Sequence, residues 1–376
     1  MSARRIAFLT GTRADFGKLK PLMQKIQNDP AFDTHVFVTG MHLLSKYGYT
    51  CDEVVKAGFT NIHKYINQNS SDRMDHILAK TISGLSDYVT EIRPELLVIH
   101  GDRVEALAGA AVGALNNIRV GHVEGGEVSG TIDESIRHAV SKFAHVHFVA
   151  NEAARQRLNQ LGESDSSIYV IGSPDIDVVN SPSLPAMDAV RQRYDLTFER
   201  YGLLLFHPVT TEVDDLRRHV TVLVDELIAS GRKYVVIYPN NDHGTDIILE
   251  EYRRLAGKPD FRVYPSIRFE YFLTLMRNAD FIIGNSSAGV REAPHLGLPA
   301  VNLGSRQTNR VQHESIINSE IEPGLVRGAI DAAVKLERKA VSLFGHGNSA
   351  EMFHEVLLQP EFWRQPTQKS FVDLSK

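Results

Sequence analysis

Short, continuous apolar runs alternate with longer amphipathic stretches along almost the whole of this 376-residue chain. Apolar runs without polar alternation read as strands covered on both faces, and strand–helix alternation of this kind builds parallel sheets. Strands are expected at Arg5–Leu9, His35–Val38, Leu96–Ile99, Val120–Val123, Val146–Val149 and Tyr169–Ile171. Helices separate them at Lys18–Gln27, Met74–Ile92, Ala106–Leu115, Ser135–Phe143 and Glu152–Leu161. In the first of these Leu19, Leu22, Met23 and Ile26 share one face. The pattern breaks in the Pro-rich stretch Ser173–Leu184, which places a boundary near Ser181–Pro185. It then resumes with strands at Gly202–Phe206, Tyr234–Tyr238, Arg262–Tyr264, Phe281–Ile283 and Ala300–Leu303. The second set of helices is expected at Asp214–Ala229, Thr245–Leu255, Phe269–Arg277, Ala288–Leu296 and Gly324–Leu336. The expected fold is α/β, with two doubly wound, Rossmann-like domains over residues 1–180 and 185–376. The last helix is a candidate to pack back on the first domain.

Charge narrows the partners. Lys plus Arg is 41 against 46 for Asp plus Glu, a formal net charge of -5, so the basic footprint of a nucleic-acid binder is absent. An anionic ligand has to be met by local cations. No apolar run reaches the ~18 residues of a membrane span, and the N-terminal apolar stretch is too short for a signal-peptide core. The single cysteine, Cys51, cannot form an internal disulfide and reads as a buried thiol. A cytoplasmic protein is expected.

Polar residues and glycines gather just past the expected strands: Thr10–Asp15, His100–Arg103 and His122–Glu127, then His207-Pro208, Pro239–Asp242 and Gly284–Gly289. In doubly wound sheets, ligands bind outside the carboxyl ends of the strands. The cleft between the two halves is the expected site. Gly284–Gly289, small and hydroxyl-rich between a strand and a helix, reads either as an anion cradle or as an ordinary N-cap. Neither a dinucleotide-binding G-x-G-x-x-G nor a P-loop occurs. His100-x-Asp102 and His122-x-Glu124 admit a metal reading, but Arg103 beside Asp102 fits an anionic ligand better. Asp133-Glu134 opens the helix that carries Arg137 and His138, and serves as a helix start or as a further acid. Asp102, Glu124 and Asp133 together suit proton abstraction and donation.

Six segments occur in a diagnostic order: Gly11-Thr12-Arg13-Ala14-Asp15-Phe16, His100-Gly101-Asp102-Arg103, His122-Val123-Glu124-Gly125-Gly126-Glu127, Thr131–His138, Phe206–Thr211 and Gly284-Asn285-Ser286-Ser287. With them the chain resembles the hydrolysing UDP-N-acetylglucosamine 2-epimerases of bacterial sialic acid synthesis, from Arg5 to about Arg310. Non-hydrolysing members of the wider family typically carry His-Val-Glu-Ala-Gly and a Pro-Glu-Glu-x-Asn-Arg stretch, which this chain lacks.

The resemblance implies a two-domain glycosyltransferase-B architecture and neither metal nor cofactor. It implies Asp102, Glu124 and Asp133 as catalytic acids, with Arg13 and Arg103 on the nucleotide and its diphosphate. His207, Asn240, Ser286 and Ser287 would hold UDP, Glu292 the ribose hydroxyls, and Arg306 the nucleotide. Ala14, Glu127, Arg137 and Gly289 complete the implied substrate-binding set. The implied reaction is elimination of UDP to 2-acetamidoglucal followed by hydration to N-acetylmannosamine. The alternatives are the same reaction on a UDP-2,4-diacetamido-2,4,6-trideoxy sugar, the non-hydrolysing epimerase, a glycosyltransferase of the same fold, and a non-catalytic nucleotide-sugar binder. A UDP-sugar is the implied partner, and a homodimer or homotetramer the implied assembly.

Overall fold

The computed structural model describes residues 3–69, 71–129, 132–209, 211–240, 242–307, 310 and 312–373. Thr131, Thr210 and Asn241, which belong to the segments above, lie outside them. The chain divides into two compact units. One takes in the residues up to Glu127, Asp133–Asn180 and the chain from Phe344 onward; the other takes in Val128–Ile132 and Ser181–Leu343.

The first unit is a seven-stranded sheet of β1 (Arg4–Thr10), β2 (Phe32–Val38), β3 (Asn61–Lys64), β4 (Leu96–His100), β5 (Arg119–Val123), β6 (Val146–Val149) and β7 (Ile168–Val170). Its order is β3-β2-β1-β4-β5-β6-β7, and every pairing is parallel. The connecting helices are α1 (Arg13–Gln27), α2 (Cys51–Lys56), α3 (Met74–Ile92), α4 (Val104–Leu115), α5 (Ile132–Phe143), α6 (Glu152–Gln160) and α7 (Pro174–Val179). Strand alternation sends side chains to two different cores. Ile6 and Phe8 pack with Leu19, Leu22 and Ile26 of α1, while Ala7 and Leu9 pack with Leu85 and Val89 of α3 and Ala106 and Ala110 of α4. Both faces are covered, which is why the strands read as unbroken apolar runs. α4 lies close to the sheet because it presents glycine: a Cβ on Gly109 would come within 2.6 Å of Ile99, and one on Gly113 within 2.3 Å of Val120.

The second unit has α8 (Met187–Tyr194), β8 (Gly202–Leu205), α9 (Val213–Ala229), β9 (Tyr234–Ile237), α10 (Thr245–Tyr252), β10 (Phe261–Tyr264), α11 (Phe269–Asn278), β11 (Phe281–Gly284), α12 (Glu292–His295), β12 (Ala300–Leu303), β13 (Ile316–Ser319) and α13 (Leu325–Ala333). Its sheet runs β10-β9-β8-β11-β12-β13, all parallel. Among the described residues no helix is long and apolar enough to cross a membrane.

Two expectations change, and the end of the chain finds its place. The Pro-rich stretch is not all linker: Pro174 sits at the start of α7, where its missing N–H costs nothing. The helix expected over Ala288–Leu296 is instead a 3-10 turn, Ser287–Gly289, followed by the single turn α12, which contains Pro294. The last helices, α14 (Ser349–Leu358) and α15 (Pro360–Arg364), belong with the first unit, where Phe353, Val356, Leu357 and Phe362 join the core of Phe8 and Phe148. The strand order reverses between β1 and β4 in the first sheet and between β8 and β11 in the second. Those are the switch points where such sheets open a ligand crevice.

Candidate active site

At the first switch point, the turn after β1 is built by its own side chains. Thr12 caps α1 by accepting from the Asp15 N–H at 3.2 Å, and Asp15 accepts from the N–H groups of Thr12 and Gly11, each at 3.0 Å. This capping box spends Asp15 on architecture. It sets Arg13 and the exposed Ala14 at the head of α1, and Arg13 pairs with Glu53 at 2.8 Å. Beneath the turn, His42 is fully buried; its Nε2–H donates to Thr10 at 3.0 Å and its Nδ1 accepts from Thr50 at 2.7 Å. Burial brings its pKa down to about 4, so the ring is neutral.

The segment after β4 turns on Gly101, whose φ is +73°. That turn leads to Asp102, which pairs with Arg137 of α5, a fully buried arginine. Asp133 lies four residues before Arg137 and so on the same helix face. After β5 comes Glu124, 7 % exposed and held at φ +71°, a left-handed conformation rare for a side chain of this size. His100 Nε2 meets Glu124 Oε2 at 2.8 Å, and Lys18 Nζ lies 3.6 Å from the same oxygen. Lys18 also lies 3.5 Å from Asp175, which is fully buried at the start of α7. The next two residues are glycines of necessity. A Cβ on Gly125 would come 2.9 Å from His122, and one on Gly126, at φ +72°, would come 2.2 Å from the Ala154 carbonyl. Glu127 follows, buried.

His122 does not meet Glu124. Its Nε2–H donates to the Gly101 carbonyl at 2.9 Å and its Nδ1 accepts from Ser141 at 3.2 Å, while burial lowers its pKa to about 3. It is a neutral strut between β4 and α5. The paired His-x-carboxylate arrangement therefore loses a ligand, and among the described residues no group of three or more His, Cys, Asp or Glu side chains is placed to hold a metal ion. The two carboxylates that remain differ in surroundings. Asp102 pairs with the Arg137 guanidinium with its side chain 23 % exposed, whereas Glu124 meets the His100 imidazole and lies near the Lys18 ammonium in near-complete burial. Carboxylates in unlike environments can hold different protonation states, which suits them to act as acid and base.

In the second unit, Gly284 closes the end of β11 at φ +135°, where a Cβ would fall 1.9 Å from the Leu205 carbonyl. Asn285 then staples two loops. It accepts from the His207 N–H at 2.7 Å and donates to the His207 carbonyl at 2.8 Å. Its own carbonyl accepts from Gln307 at 2.8 Å and from Arg306 at 3.3 Å. His207 Nδ1 accepts from the Asn240 N–H at 3.1 Å, which leaves the ring proton on Nε2. Ser286 caps the turn that carries Ser287 and Gly289, accepting from the Ala288 N–H at 3.4 Å. Glu292 is buried at the head of α12. His207, Asn240 and Arg306 thus share one hydrogen-bonded framework through Asn285 and His207 at the second switch point, and Ser286, Ser287, Gly289 and Glu292 continue the chain from Asn285.

Sequence reasoning missed Lys18 and Asp175 as members of these sites, and it placed His100 and Asn285 in the motifs without the partners they have here. A signal existed for Lys18, a lysine set among the apolar positions of α1; Asp175 was hidden in the stretch read as a boundary.

Comparison with known proteins gives this geometry a family. The chain belongs to the UDP-N-acetylglucosamine 2-epimerase family, whose model matches residues 24–358. It is 46 % identical to the UDP-N-acetylglucosamine 2-epimerase of Neisseria meningitidis serogroup B, over 99 % of this chain and 100 % of that protein. It is 33 % identical to a hydrolysing UDP-N,N'-diacetylbacillosamine 2-epimerase of Legionella pneumophila, over 94 % of this chain and 95 % of that one. The crystal structure of the Methanocaldococcus jannaschii UDP-GlcNAc 2-epimerase in complex with UDP-GlcNAc and UDP superposes with a TM-score of 0.78. It covers 94 % of this chain and 99 % of that one at 21 % identity, and the shared fold is of glycosyltransferase-B type.

Proposed function

We propose that this chain is a hydrolysing UDP-N-acetylglucosamine 2-epimerase that converts UDP-N-acetylglucosamine and water into N-acetylmannosamine and UDP, the opening step of sialic acid synthesis. The observation that carries the reading is the pair of unlike acids, Asp102 on Arg137 and Glu124 on His100 and Lys18, at the ends of adjacent strands.

In the proposed reaction one carboxylate takes the C2 proton while the C1–O bond to UDP breaks, which leaves 2-acetamidoglucal. Water then adds across the double bond: hydroxyl goes to C1, and a proton returns to C2 on the opposite face. Inversion needs one acid on each face, and Asp102 and Glu124 take these parts, with Asp133 as third acid. Arg13 and Arg103 stabilise the charge that develops on the departing diphosphate. His207 Nε2–H, Asn240, Ser286, Ser287 and Arg306 bind UDP, Glu292 accepts from the ribose hydroxyls, and Ala14, Glu127, Arg137 and Gly289 line the substrate. We place the reaction in the cytoplasm, in a homodimer or homotetramer.

The test is incubation with UDP-N-acetylglucosamine in D2O, followed by proton NMR. Free N-acetylmannosamine deuterated at C2, with UDP, is the expected product; UDP-N-acetylmannosamine would replace the hydrolysing reading by the non-hydrolysing one. The Legionella relative supports a second reading, the same chemistry on a UDP-2,4-diacetamido-2,4,6-trideoxy sugar. Turnover of that sugar, with none of UDP-N-acetylglucosamine, would establish it.

A further inference from the structure

Glu105 is the second residue of α4 and is 2 % exposed. Neither of its carboxylate oxygens has a hydrogen-bond donor among the described residues. Its ionic neighbour is Arg103, whose Nε lies 3.4 Å from Oε2. The loops after β1 and β2 are shaped around it. A Cβ on Gly11 would come 3.2 Å from Glu105 Cδ, and one on Gly40, at φ +64°, would come 2.9 Å from Oε1. Burying a carboxylate without donors is costly, and the positive end of a helix offsets only part of that cost. A group held this way has a purpose in the molecule.

We propose that Glu105 is a positioning residue: it holds the Arg103 guanidinium through Nε and so orients it toward the diphosphate of the nucleotide sugar. The proposal rests on the reading of Arg103 as a diphosphate contact. Arg103 occupies the N-cap of α4 in extended conformation, two residues before Glu105. Each contact on a long side chain there narrows its rotamers. Glu105, two residues on and packed against Gly11 and Gly40, is fixed by the backbone around it and supplies that restraint. An arginine restrained at Nε keeps a fork geometry suited to bidentate phosphate recognition.

The sign of the effect separates positioning from simple charge. A carboxylate near an anion site repels the anion, so removing its charge alone would tighten binding. Loss of a positioning residue weakens it.

The experiment is calorimetric titration of the full chain with UDP and with uridine, for the parent, Glu105→Gln, Arg103→Ala and the double variant. Glu105→Gln keeps the volume that Gly11 and Gly40 accommodate. We expect it to weaken UDP binding about ten-fold, the order of one charge-assisted contact, and to leave uridine binding unchanged. In the Arg103→Ala background the same substitution no longer weakens UDP binding, because the group it positions is gone. Tighter or unchanged UDP binding by Glu105→Gln, or additive effects in the double variant, overturns the proposal. An Arg103→Ala variant that binds UDP as the parent does overturns instead the reading of Arg103 beneath it. If Glu105→Gln does not fold, Glu105→Asp retains the charge but withdraws it from Arg103. A loss of UDP affinity then supports positioning, and an unchanged affinity excludes it.

Discussion

Glu124 is a buried carboxylate on which two basic side chains converge. His100 and Lys18 both approach one of its oxygens, and Lys18 is shared with Asp175. Replacing Glu124 by Gln leaves Lys18 with a carboxylate partner, so the fold survives while the acid is lost. Glu124→Gln and Asp102→Asn should each lower kcat by ~10²–10⁴ with UDP affinity retained, measured by UDP release and by calorimetry. Full activity in both variants would remove these residues from the mechanism. The buried histidines predict a pH response. His42 and His122 sit at about 4 and about 3 in the folded chain against about 6.5 when unfolded, in both cases chiefly through burial. Below pH ~6.5 the unfolded chain binds protons that the folded chain does not, so stability is complete above that pH and falls as pH drops toward 4. Each histidine contributes a slope of up to about 1.4 kcal/mol per pH unit in that window. Urea midpoints at pH 7.5 and 5.5, read from the fluorescence of the one tryptophan, Trp363 in the first unit, should show it. His42→Gln should flatten the slope. Much of this site could be read from sequence, because its glycines and acids are adjacent in the chain. The His100–Glu124 and Lys18–Asp175 contacts could not, since they join positions 24 and 157 residues apart.

Strands buried on both faces announce themselves; edge strands that carry exposed polar residues do not, although the more covered edge strands β7 and β10 do. The central strands β1, β4 and β5 are almost wholly buried and read as apolar runs. β3 and β13 lie at sheet edges and carry exposed polar residues, so neither stands out as a strand. α14 is readable as a helix, but its destination is readable only as a candidate, because an apolar face does not state which core it fills. Phe353 of α14 packs edge-on against Phe148 at 4.8 Å between ring centroids and against Phe8 at 6.4 Å. It is fully buried. Phe353→Ala should therefore destabilise the first unit by about 3–5 kcal/mol, seen as a lower urea midpoint for Trp363 fluorescence. A midpoint within error of the parent would mean that α14 is not part of that core.

The path of the chain makes the first unit dependent on its last segment. Residues up to Asn180 supply all seven of its strands, yet its core is completed only by residues beyond Phe344. Arg119 of β5 donates to the carbonyls of Trp363 and Gln365, and His145 meets that of Thr367, so the tail also satisfies polar groups at the sheet's margin. The second unit has no such debt: apart from Val128–Ile132 it is one continuous stretch, Ser181–Leu343, and its core cluster lies entirely within that stretch. Loop closure over some 340 residues has to precede the contact of Phe8 with Phe353, whereas the second unit closes over about half that length. During synthesis the second unit can therefore complete its core before the first does. A chain ended after Leu343 isolates the difference. Hydrogen exchange read by mass spectrometry should show native protection in β8, β9, β11 and β12, and fast exchange in β1, β4 and β5, whose core has lost Phe353 and Phe362. Native protection of β1 and β4 in that shortened chain would show that the first unit's core stands without its C-terminal helices.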